Sequence, residues 1–92
     1  MPNENAVLMI AHISRDSVAM NEAALAGDFD EARFRAQLIR RKAESARLDH
    51  VMRAAARVSD RLGPIGSVPR SGYGGAMLAV ATALDDAGFE PL

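Results

Sequence analysis

Residues 28–62, DFDEARFRAQLIRRKAESARLDHVMRAAARVSDRL, run for 35 positions without a proline or glycine and are followed at once by Gly63-Pro64. Asp28, with Glu31 three residues on, resembles a capping box, in which the first side chain accepts from a free N–H of the opening turn. No helix breaker follows before Gly63, so the stretch reads as one helix over about 29–62. Its apolar residues occupy more than one face. Phe29, Ala32, Ala36, Ile39, Ala43 and Ala46 make a first stripe at three- and four-residue spacing. Phe34, Leu38, Met52 and Ala56 lie well round the helix, and Val51, Ala55, Val58 and Leu62 cover its C-terminal end.

Toward the N-terminus, a second periodic segment spans about 3–26, with Asn3 as N-cap, Glu4 in the first turn and Gly27 as the stop. It carries two apolar ridges, Val7/Ala11/Val18/Leu25 and Met9/Ile13/Met20/Ala24, separated by Ser14, Ser17 and Asn21. His12, Arg15, Asp16 and Glu22 form the charged face. Because Gly27 stops one helix and Asp28 starts the next, the two reverse into an antiparallel hairpin. The second helix, at about 50 Å, then overhangs a first helix of about 35 Å.

Toward the C-terminus, residues 63–75, GPIGSVPRSGYGG, read as a loop. A helix over about 75–87 follows, presenting Tyr73, Met77, Val80, Ala81 and Leu84 on one face, with Gly88 as its stop and Phe89 packing back on Leu84. The expected fold is all-α, in a single domain over 1–92: an antiparallel helical hairpin with a long second helix, a shorter third helix, and completion as an oligomeric helical bundle.

Self-association is expected because the chain can build little core of its own. A chain of 92 residues buries only about 60–65% of its unfolded surface, and alanine, the commonest apolar residue here, adds little area per side chain. The second stripe, Phe34, Leu38, Met52 and Ala56, is the expected interface of a homo-oligomer. Without cysteine there is no disulfide framework and no thiol nucleophile. The N-terminus shows no basic leader, and the apolar run Ala6–Ala11 is too short to span a bilayer, so a soluble cytoplasmic protein without membrane contact is expected.

Charge is segregated along the chain. Residues 1–31 hold one arginine against six acids, residues 32–70 hold ten Lys/Arg against three acids, and residues 71–92 hold three acids. That order suits acidic and basic helices packed side by side. It also competes with a nucleic-acid reading of the basic segment, where Arg33, Arg40 and Arg47 recur every seven residues without the aromatics that stack bases.

Few residues suggest chemistry. His12 and Asp16 stand one helical turn apart, but a metal site needs further ligands, and no metal or cofactor is expected. The glycine-rich loop with Arg70 and Ser71 lacks the spacing and the lysine of a phosphate-binding loop. Ala-Leu-Ala-Gly-Asp-Phe-Asp-Glu-Ala, residues 24–32, resembles the turn of helical-repeat proteins, without a second period to support it. His50-Val51-Met52-Arg53-Ala54-Ala55 resembles the phosphoacceptor motif of histidine phosphotransfer domains. The resemblance implies that His50 accepts a phosphoryl group, that Arg53 balances its charge and that Ala54 leaves room for a partner. Arg and Ala stand where that motif has Lys and Gly, and the likeness covers six residues. The expected function is therefore a non-catalytic protein–protein interaction or oligomerisation module for an unidentified protein partner. Phosphotransfer through His50 and nucleic-acid binding by a basic helix are the alternatives.

Overall fold

The computed structural model describes residues 4–88, which hold four helices and no strand: α1 Glu4–Leu25, α2 Phe29–Ser45, α3 Asp49–Leu62 and α4 Tyr73–Gly88. The all-helical class follows the sequence. The long second helix does not, because it is broken at residues 46–48 into α2 and α3.

The break is a Schellman turn. Arg47 takes φ 58°, the Leu48 N–H donates to the Ala43 carbonyl at 2.8 Å, and the Arg47 N–H donates to the Glu44 carbonyl at 3.1 Å. The α1–α2 connection closes in the same way. Gly27 takes φ 80°, the Asp28 N–H reaches the Ala23 carbonyl at 2.8 Å, and the Gly27 N–H reaches the Ala24 carbonyl at 3.0 Å. Asp28 then accepts from the Glu31 N–H at 3.1 Å and caps α2. The expected capping box is one-sided, since the Glu31 carboxylate turns to Arg35 at 2.8 Å instead.

Packing accounts for a break that local propensity does not favour. On a continuous helix at 100° per residue, the stripe through Ala43 and the stripe through Val51, Val58 and Leu62 lie about 80° apart. Breaking the helix turns both inward, and Leu48, at the hinge, packs against the core. The α1–α2 and α2–α3 reversals each take three residues, and α4 returns against α1 to close a four-helix bundle. The overhang expected of a continuous second helix is therefore absent: α3 lies back along α2 and is covered by α4.

Ile13 and Met20 on α1, Ile39 on α2, Val51, Val58 and Leu62 on α3, and Val80 on α4 are fully buried. Ile39 is the one large apolar side chain that α2 buries completely; Ala32, Ala36 and Ala43 fill its other inward positions. Alanine faces let helix axes approach closely, and the bundle is correspondingly narrow, 42 × 19 × 18 Å.

The open end, where α3 connects to α4, is pinned by side chains. The Phe29 and Tyr73 rings, the first residues of α2 and α4, meet edge to face with centroids 5.5 Å apart. The loop, expected over 63–75, runs from Gly63 to Gly72, and α4 starts earlier than expected, at Tyr73. The Arg70 N–H donates to the Arg61 carbonyl at 2.7 Å, so this amide is already used. Gly63 has φ 72°, and a Cβ there would lie 2.8 Å from the Ser67 hydroxyl oxygen, so both conformation and space call for glycine. Gly88 is the last helical residue rather than the stop beyond it. The proposed cap Asn3 and the packing of Phe89 on Leu84 lie outside the described residues.

Candidate functional site

Two polar clusters that look like site chemistry in the sequence hold the bundle together. Asp16, 5% exposed, accepts from Lys42 Nζ at 2.6 Å and from Arg35 Nη1 at 3.0 Å, joining the acidic first helix to the basic second. Hydrogen bonds from Arg35 to Glu31 and then to Asp16 raise the Arg35 guanidinium further above its ordinary value. The guanidinium therefore keeps its charge until pH rises through that raised value, far above neutral. His12 is exposed, while Asp16, one turn away, is buried and bonded to α2. Among the described residues, no group of three or more His, Cys, Asp or Glu gathers to hold a metal.

Arg33 is the second cluster. Rather than joining a solvated arginine stripe, it is 6% exposed. Nη2 donates to the Leu62 carbonyl at 2.8 Å and to the Ser67 carbonyl at 2.7 Å, Nε donates to the Gly63 carbonyl at 3.0 Å, and Nη1 pairs with Asp30 at 2.6 Å. A guanidinium thus closes the carbonyl end of α3 and organises the loop behind it. With Arg33 buried, Arg40 exposed and Arg47 in the opposite turn, the seven-residue stripe offers no continuous track for phosphates.

The surface that remains free has two distinctive regions. The first is an apolar ridge on α1. Ile13, Ser17 and Met20 face the core, whereas Val7, Val18 and Leu25 are 53%, 57% and 89% exposed, and Ala11 is exposed between them. Asp16 directs one edge of α1 to α2, and Ile10, whose Cγ2 lies 4.0 Å from a Cβ built on Gly88, directs the other to α4. The ridge runs just outside that α4 edge. Val7, Ala11, Ser14, Val18, Asn21 and Leu25 follow one another at alternating four and three spacing, a seam along most of the helix.

The second region is an open groove of about 1020 Å³ between α3 and α4. Arg47, Asp49, His50, Arg53 and Arg57 line its α3 side, and Leu78, Ala79, Ala83 and Asp86 line its α4 side. His50 is exposed in the first turn of α3, with Arg53 one turn further along the same groove.

The expected interface residues are not equivalent. Phe34 is 51% exposed on α2, with the Arg35 guanidinium 6.0 Å from its ring centre, and Leu38 is half-buried one turn on. On α3, Met52 packs against the bundle's own core, and Ala56 is exposed. Sequence periodicity signalled the α1 seam but not its exposure, since both α1 ridges are apolar. Among the described residues, no helix is long and apolar enough to cross a membrane. Comparison with models of known protein families, with curated proteins and with solved structures finds no match to this chain.

Proposed function

We propose that the protein is a small cytoplasmic protein–protein interaction module, without catalytic activity, that self-associates through the outer ridge of α1. The supporting observation is the exposed seam Val7/Ala11/Val18/Leu25 on a bundle whose core is already closed by four helices of one chain. A heptad seam packs against a copy of itself, and half-buried Ser14 and Asn21 supply hydrogen-bonding groups that favour one register. A twofold pairing is the commonest arrangement for such a self-complementary face.

Sedimentation equilibrium of the wild type and of Val18→Glu tests this reading. Val18 is exposed in the monomer, so the charge spares the fold and acts on the seam. A wild-type dimer at about 100 µM, with association weakened at least tenfold by the substitution, is expected; that factor is about 1.4 kcal/mol. A folded wild-type monomer throughout that range contradicts it.

A second reading is phosphotransfer through His50. The four-helix bundle and the exposed His50 with Arg53 one turn away support it. In this reading an imidazole nitrogen attacks the phosphorus of an acyl phosphate, the acyl oxygen leaves, and Arg53 faces the phosphoryl oxygens. Acid-labile, alkali-stable labelling by acetyl phosphate that vanishes in His50→Ala would select this reading; labelling retained in the variant removes it.

A further inference from the structure

The α3–α4 groove combines three features. First, Arg47, Arg53 and Arg57 line it and make no ion pair among the described residues, although Asp49 and Asp86 line it as well. These arginines are exposed, whereas the buried or half-buried basic side chains, Arg33, Arg35 and Lys42, are all paired. Second, the opposite wall is small and apolar: Ala79 and Ala83 are half-buried, and Leu78 is 67% exposed. Third, one of the arginines, Arg47, occupies a left-handed conformation that glycine would adopt at less cost.

We infer that this groove receives an acidic amphipathic helix from a partner protein. Arg47, His50, Arg53 and Arg57 recur at three- and four-residue intervals over about 15 Å of groove length. A guest helix of about three turns with acids at matching three- and four-residue intervals faces the arginines along its length. Its small apolar residues lie against Leu78, Ala79 and Ala83. A nucleic acid fits less well: no Phe, Tyr or Trp lines the groove for stacking, and Asp49 and Asp86 repel a phosphate backbone from both sides. Charge complementarity therefore selects a peptide whose carboxylates keep to one face. This assignment rests on the reading of the chain as an interaction module, but not on its self-association through α1.

The test is fluorescence anisotropy with the full chain and a fluorescein-labelled helical peptide of about 14 residues, carrying Leu and Ala on one face and Glu at i, i+3, i+7 and i+10 beside them. The same peptide with Lys for Glu, and a thymidine oligonucleotide of about 15 nucleotides, are the comparison probes. Saturable binding of the Glu peptide is expected, weakened at least tenfold by Arg53→Glu with Arg57→Glu, similarly by Leu78→Glu, and progressively by salt. Arg40→Glu with Arg41→Glu, exposed changes on α2, should leave it within about twofold. Circular dichroism establishes that each variant remains folded.

Several outcomes overturn the assignment: no binding of the Glu peptide, equal binding of the Lys peptide, loss of binding in the α2 variant alone, or oligonucleotide binding in place of peptide. Dissociation of a homo-oligomer by Arg53→Glu with Arg57→Glu also overturns it, because a second copy would then fill the groove. Val18→Glu separates the two readings. If it abolishes self-association and leaves peptide binding intact, the groove stands apart from the α1 seam; if the wild type is monomeric yet binds peptide, only self-association fails.

Discussion

Gly27 and Arg47 occupy the same position in two turns with the same hydrogen-bond pattern, one at φ 80° and the other at φ 58°. Glycine adopts this conformation freely, whereas a residue with a Cβ crowds the neighbouring carbonyl. Arg47→Gly should therefore stabilise the fold by about 0.5–1 kcal/mol. For a chain of this size, the melting temperature should rise by roughly 3–6 °C. A thermal melt showing a lower midpoint would mean that the Arg47 side chain contributes more than its backbone costs.

The break at Arg47 also marks where sequence reading stopped short. Asp28, Gly27 and Gly63 announced their helix ends because each residue type suits its local geometry. Ala46-Arg47-Leu48 contains no residue that favours a turn, so local propensity argued for continuity. The usable signal was a change of phase: the stripe ending at Ala43 and Ala46 does not continue into Val51, Ala55, Val58 and Leu62 on one helical face. Tertiary packing overrode propensity, and the same override placed His50 on the surface. The outer α1 seam was legible as a periodicity, but its exposure depends on where α4 lies. The pairing of Asp16 with Lys42 was legible only as the charge order of the two segments.

Arg33 holds the carbonyl end of α3 by donating to Leu62 and Gly63. Arg33→Ala leaves those carbonyls and the Ser67 carbonyl without this donor, and should cost about 2–4 kcal/mol. Arg33→Lys should recover less than half, because an ammonium group cannot reproduce the planar fork. Chemical denaturation gives the stabilities. Hydrogen exchange gives a local check, since the Arg70 N–H, bonded to the Arg61 carbonyl, should lose protection in the alanine variant. Unchanged exchange at Arg70 would show that the loop is held by other contacts.

Asp16 is buried, yet the Arg35 and Lys42 side chains it binds are 32% and 34% exposed and retain access to water. Asp16→Asn should therefore cost about 1–2 kcal/mol, less than removing one partner from a fully buried pair. The urea midpoint should fall without a change in slope. A variant as stable as the wild type would show that desolvation of Asp16 cancels its two ion pairs.

Self-association through α1 is tested most directly by cross-linking at single introduced thiols, because the chain has no cysteine of its own. Val18→Cys lies on the exposed α1 seam, and Phe34→Cys lies on the exposed face of α2. A short bis-maleimide, applied at about 100 µM protein, well above the dissociation constants of ordinary specific dimers, should convert Val18→Cys to a covalent dimer. Phe34→Cys should remain largely monomeric under the same treatment. Efficient cross-linking at position 34 with little at position 18 would contradict the α1 seam and return the interface to α2.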